Sequence, residues 1–157
     1  MTTKHLLCSF LIILIFSCKT NQDNQAWQKG NLHTHSLWSD GDDFPEMIIQ
    51  WYKDNDYQFL ALSDHNTISK DINRWYKIGE REINNNTLEK YKDRFGDWVE
   101  EKTGDEGTYV RLKPYEEYKN KLEEEGFIII RSEEVTSSFE DTFKRNKPVH
   151  INVTNIQ

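Results

Sequence analysis

Phe59-Leu60-Ala61-Leu62 is four apolar residues in a row, with no polar alternation. A strand of that kind is buried on both faces, and such strands belong to parallel sheets covered by helices. Upstream, Met47, Ile48, Trp51 and Tyr52 recur at helical spacing, so residues 44–54 read as an amphipathic helix. Asp43 with Glu46 makes an aspartate-for-serine capping box, and Pro45 falls in the first turn. Residues 31–36 before it read as a strand. Strand, helix, strand points to an α/β domain.

The rest of the chain supplies more of the same elements. Residues 114–125 read as an exposed helix stopped by Gly126, residues 127–130 as another buried strand, and 148–155 as an alternating strand. Residues 67–126 form an insertion, and 68–112 are rich in charge and asparagine, with Trp75, Tyr76, Tyr91, Phe95, Trp98 and Val99 interspersed. Helical pieces are expected over 70–80 and 87–101, followed by a Gly-containing loop. The aromatics are expected to dock the insertion on the domain. Four strands cannot close a barrel and would leave an edge unpaired, so the chain is expected to be a truncated part of a larger domain.

The N-terminus reads as a targeting segment. Lys4 precedes an apolar run over 6–16 that is too short to span a bilayer. The run ends Ile15-Phe16-Ser17-Cys18 and turns polar at once. This resembles a bacterial lipoprotein signal, which implies lipidation at Cys18 and export to the periplasm or cell surface. Ordinary secretory cleavage is the alternative, since Phe16 stands where a small residue is usual. The expected organisation is a signal over 1–18, a polar tether over 19–28, and one domain over 29–157. The membrane would be a partner only through the lipid.

Cys8 and Cys18 both fall in the signal, so the domain has no disulfide framework and any metal must be held by nitrogen and oxygen. The net charge of -7 leaves no basic face for nucleic acid. An anionic substrate could bind only where cations reverse the local sign. No protein partner is indicated.

Of five histidines, His5 is in the signal; His33, His35, His65 and His150 each fall at or near a strand end. His33 and His35 are two apart, so on a strand they share a face. Asp40 follows in a Ser39-Asp40-Gly41 turn, and His65 comes just after the buried strand, in Ser63-Asp64-His65-Asn66. Asp64 could bind metal or orient an imidazole. After 127–130 come Glu133 and Glu134, and His150 shares a face with Asn152. Each feature alone is ordinary turn or surface chemistry. Together they place His or Glu near the carboxyl end or along the inner face of each of the four strands, and α/β barrels gather their active sites at such ends.

Asn31-Leu32-His33-Thr34-His35-Ser36 with Ser39-Asp40-Gly41, then Leu62-Ser63-Asp64-His65-Asn66, Glu134-Val135-Thr136 and Val149-His150-Ile151-Asn152, resembles the PHP (polymerase and histidinol phosphatase) domain family. The resemblance covers about 29–66 and 127–156. It implies the N-terminal part of a distorted (β/α)7 TIM-like barrel, carrying a helical insertion. It implies up to three divalent ions (zinc, manganese or iron). By carry-over His33, His35 and Glu134 hold the first ion, Glu134 bridges to a second shared with His150, and Asp40 and His65 hold a third. Glu133 is the alternative to Glu134, and Asp64 and Asn152 would stand behind the ligands. Further family ligands would fall beyond Gln157. The activity implied is hydrolysis of a phosphate mono- or diester on a small substrate by metal-activated water. An amidohydrolase, which also opens with His-x-His, and a non-catalytic metal-binding module at the cell surface are the competing readings.

Overall fold

The computed structural model describes residues 27–80 and 86–156. The expected signal and Cys18 lie outside the described residues. Among the described residues no helix is long and apolar enough to cross a membrane.

The chain begins with β1 (Gly30–Thr34), α1 (Pro45–Asp54) and β2 (Phe59–Leu62). The buried run pairs in parallel on both sides, with β1 and with β6 (Ile128–Glu140). Leu60 stands opposite Ile129, and both are almost fully buried. Leu60 and Leu62 share a face with Phe127 and Ile129, and Ile49 of α1 covers it. Tyr118 and Leu122 of α3 (Tyr115–Leu122) complete that core. Each such side chain withdrawn from water stabilises the fold by roughly 1.5–3 kcal/mol. Ala61, on the opposite face of β2, is also fully buried, as a strand without alternation requires.

The start of α1 corrects the capping expectation. Phe44 is the N-cap, with no side-chain cap. Asp43 instead accepts the Phe44 N–H, 2.8 Å away. Glu46 turns into the protein and is fully buried, so its carboxylate does not reach back to the helix start.

The barrel expectation is overturned. β6 does not stop at Ile130 but runs on for ten residues, and β7 (Asn146–Thr154) returns beside it antiparallel. A (β/α)7 barrel needs a crossover helix there, but Val135-Thr136-Ser137-Ser138-Phe139 is rich in β-branched, hydroxyl and aromatic residues, which favour strand over helix. Asp141 folds the chain back instead, accepting the N–H groups of Phe143 at 2.8 Å and Arg145 at 3.0 Å. The result is a four-stranded mixed sheet, ordered β1-β2-β6-β7, curled into a half-barrel. The curl brings its two edges together at one end, where the Asn152 side-chain amide of β7 donates to the Leu32 carbonyl of β1.

The insertion is also less helical than expected. Residues 70–80 hold turns and the short strand β3 (Trp75–Lys77). α2 covers only Thr87–Phe95 and is followed by a single 3-10 turn, Gly96–Trp98. β4 (Glu101–Gly104) and β5 (Gly107–Arg111) then form a hairpin, and β3 adds to its other side in the order β3-β5-β4. Gly107 takes φ +120 at the hairpin turn, a conformation side chains resist. The aromatics do dock the insertion: Tyr91 stacks on Phe44, ring centroids 4.2 Å apart, in a second core with Leu37, Trp38, Tyr76, Val110 and Leu112.

Candidate metal centre

The end of β1 and the turn after it place the first three polar groups. His33 closes on Glu134 and His35 follows two residues later. The chain then turns sharply: Ser39 N–H and Gly41 N–H both donate to the Ser36 carbonyl, at 3.0 and 2.9 Å. Gly41 lies so close to the preceding strand that a β-carbon there would stand 2.4 Å from the His35 carbonyl oxygen. A glycine is therefore required by the close approach, which brings Asp40 back over His35. His35 Nδ1 lies 2.7 Å from Asp40 Oδ1.

Asp64, at the end of β2, holds this turn from below. Its Oδ1 accepts from the Ser36 N–H and the Ser39 hydroxyl, and its Oδ2 from the Ser36 hydroxyl, each at 2.7 Å. Asp64 thus touches the turn and, among the described residues, no imidazole; its role is to brace the segment that carries Asp40. Next to it, Asn66 adopts φ 50 and its Oδ1 accepts the Thr136 N–H at 2.9 Å. That contact and the parallel bridge between His65 and Glu134 continue the β2–β6 pairing into the site.

β6 decides between the two adjacent acids. Ile129 faces the core, and alternation carries Glu133 to that same side of the strand and Glu134 to the opposite one. Glu134 is only 4% exposed and lies at the centre of the cluster. Its Oε2 is 3.2 Å from His33 Nε2, 2.8 Å from His35 Nε2 and 3.2 Å from His65 Nδ1, while its Oε1 is 3.0 Å from His150 Nδ1. His65 Nε2 reaches Asp40 Oδ2 at 3.5 Å. The four imidazoles form a file, with successive centroids 5.0, 4.5 and 5.4 Å apart. The structure therefore brings His33, His35, Asp40, His65, Glu134 and His150 together. Glu133 lies outside the cluster, and Asn152 ties β7 to β1 beside it.

Three overlapping groups could each hold a metal ion: His33, His35 and Glu134; His35, Asp40 and His65; and His65, Glu134 and His150. The donor set fits cations. A neutral imidazole has one N–H, yet His35 and His65 each present both ring nitrogens to carboxylates. Three nitrogens also converge on Glu134 Oε2, more than the lone pairs of one oxygen can accept. Cations between these atoms turn lone-pair repulsion into coordination.

The electrostatics run the same way. Desolvation works to raise the Glu134 carboxyl, but the hydrogen bond from His33 and the charges of His65, His33 and His35 outweigh it and hold it below the usual carboxylate range. Partial burial likewise works to raise Asp40, and His35 and His65 outweigh it. Both acids are poised as anions at neutral pH. The base of the cluster is shut off from water, whereas half of the His33 side chain and most of Asp40 are exposed at the rim.

Three contributors escape a reading of the sequence. The Thr136 hydroxyl lies 2.6 Å from His65 Nδ1 and 3.3 Å from His150 Nδ1, linking two imidazoles from different strands. Its signal was available, since Thr136 is two residues from Glu134 and so shares its face. Ser36 and Ser39 matter through Asp64, a contact that only the fold creates.

Compared with protein-family models, curated proteins and solved structures, the chain matches none of them.

Proposed function

We propose that this protein is a metal-dependent phosphoesterase, cleaving a phosphate mono- or diester of a small substrate, with a ligand set of the PHP kind. The observation that carries the reading is the position of Glu134, one buried carboxylate shared between the His33–His35 side and the His65–His150 side. A shared carboxylate flanked by imidazoles, with a second acid at the rim, suits two or three divalent ions of the zinc, manganese or iron class held by N/O donors. When bound, such ions supply a water of lowered pKa and charge to offset a phosphoryl group.

The chain's own residues set the conditions for that chemistry. Glu134 and Asp40 keep the ring nitrogens oriented, and Thr136 fixes His65 against His150. Asp64 keeps Asp40 at the rim by holding Ser36 and Ser39. The exposed rim formed by His33, Asp40 and His150 is where a phosphate can enter. No serine or cysteine nucleophile takes part.

The test is metal content together with hydrolysis of p-nitrophenyl phosphate, measured on protein loaded with zinc, manganese or iron and on the chelated form. Bound metal with chelator-sensitive hydrolysis is expected. Protein that retains no metal would sink the site reading. Metal without ester cleavage, but with amide or lactone hydrolysis, would move the assignment to an amidohydrolase. The same proposal places the protein outside the cytoplasm, anchored through Cys18, on the strength of Lys4 and the apolar run before it; labelled palmitate incorporation that persists in Cys18→Ala would exclude the anchor.

A further inference from the structure

A second feature adjoins the cluster. Between the turn that carries Asp40 and the insertion lies a pocket of about 310 Å³, lined by Leu37, Ser39, Arg74, Trp75, Tyr76 and Glu80. Ser39 is a shared wall: its hydroxyl bonds Asp64 and approaches Asp40 Oδ1 at 3.3 Å. Arg74 Nη2 donates a long bond, 3.4 Å, to the carbonyl of Trp38, two residues before Asp40. That puts the guanidinium on the order of 10 Å from Asp40.

Arg74 differs from the other described arginines. Arg94 pairs with Asp54, Arg111 with Glu100 and Glu117, Arg131 with Glu116 and Arg145 with Asp141. Among the described residues Arg74 has no ion-pair partner, although the chain carries a net charge of -7. Its guanidinium carbon stands 5.7 Å from the Trp38 ring centroid, which orients the plane without using its donors. Lys102, also without an ion pair among the described residues, sits 4.0 Å from the Trp75 ring centroid. Arg74 is the cation that lines the pocket, and in an acidic protein it makes that pocket a local anion site. Glu80, at the same pocket, is the opposing charge, and it lies beyond ion-pair distance of Arg74.

We propose that Arg74 is a specificity-determining residue that binds a second anionic group on the substrate, a carboxylate or a second phosphate, on the leaving-group side of the scissile ester. The proposal rests on the phosphoesterase reading of the neighbouring cluster. A guanidinium presents a planar fork that matches either anion. The aromatic and aliphatic wall of Trp75 and Leu37 takes the carbon skeleton between the two anions. The substrate class is therefore a small doubly anionic phosphate ester, and not a simple alkyl phosphate.

The test compares two non-hydrolysable ligands, benzylphosphonate and 4-carboxybenzylphosphonate, titrated by calorimetry into the metal-loaded full chain. Wild type is expected to bind the carboxylated ligand about tenfold more tightly, the scale of one charge-assisted contact. In Arg74→Met that ratio should fall to near one. Arg74→Lys should keep part of it, and Glu80→Gln should widen it. Because the ratio is taken within each variant, a partly unfolded preparation does not alter it. A wild-type ratio near one, or a ratio that Arg74→Met leaves intact, overturns the role of Arg74 while the phosphoesterase reading survives. Failure of both ligands to bind metal-loaded protein overturns both readings.

Discussion

Asp64 and Ser36 meet twice: one carboxylate oxygen takes the Ser36 N–H and the other its hydroxyl, both at 2.7 Å. With Ser39 added, a single buried acid fastens the whole turn from β1 to Asp40. Removing it in Asp64→Ala leaves three donors without their acceptor and should cost about 3 kcal/mol. Thermal unfolding should show that loss, and elemental analysis should show a lower metal content because Asp40 and His35 are released. Metal content equal to wild type would mean that the turn holds itself.

Gly41 makes the complementary prediction from the opposite side of the turn. A methyl group there would meet the His35 carbonyl at 2.4 Å, so Gly41→Ala must push the turn away. The expected cost is roughly 1–3 kcal/mol, with reduced metal occupancy. Gly104→Ala is the control, because nothing lies within 4 Å of a β-carbon at that position. Equal melting curves for the two variants would remove the close-approach argument.

The adjacent acids should separate cleanly. Glu134 belongs to two of the three groups and Glu133 to none. Glu134→Gln should leave at most the ion held by His35, Asp40 and His65, whereas Glu133→Gln should bind metal as wild type does. Elemental analysis of the dialysed proteins decides it, and a larger loss in Glu133→Gln would reverse the facing of β6.

Glu46 predicts a pH dependence unrelated to the metal ligands. Burial pushes its carboxyl up to about 8, the backbone, Tyr91 and Lys113 opposing and Glu117 adding to it. The folded state keeps this proton above pH 4.5, where the unfolded chain releases it, so stability falls by ~1.4 kcal/mol per pH unit until the folded group also ionises. The total over that window is on the order of 5 kcal/mol. Glu46→Gln stays neutral throughout, so its advantage over wild type should grow from pH 5 to pH 8 in denaturant titrations. Parallel stability curves for the two proteins would show that Glu46 is already ionised.

What was legible in the sequence was legible for local reasons. The four-residue apolar run pointed to β2 and its parallel neighbours, because a strand without a polar face must be covered on both sides. His33 and His35 were legible because a two-residue period needs no tertiary knowledge. The choice between Glu133 and Glu134 was not, because it depends on which face of β6 meets the core, and that is set by Leu60 opposite Ile129. The hairpin of β6 and β7 was missed because its polar extension, 131–140, lacks the apolar run that marked the other strands. The small sheet of the insertion was missed because Ile72, Trp75 and Tyr76, and then Tyr91, Phe95, Trp98 and Val99, fall at helical spacing, while its strands pair with partners up to 36 residues away, as Trp75 does with Arg111. Glu46 looked like a capping residue because its spacing from Asp43 was right; the packing of α1 against Tyr91 and Phe44 turned it inward.

The cluster also has a consequence for the order of events in folding. His33 and Glu134 are 101 residues apart, and His150 reaches the same carboxylate across the β6–β7 hairpin. Only His33, His35 and Asp40 lie within a few residues of one another along the chain, so an unfolded polypeptide offers an ion little more than that segment. The remaining ligands arrive when β2, β6 and β7 have found their places, and such distant pairings are slow to close. Metal capture at such a site would thus come last. An ion that binds only the finished arrangement adds its binding energy to the native state, about 2.7 kcal/mol at a hundred times its dissociation constant. An ion held there would act as a latch on a chain whose ends of the site were brought together without it.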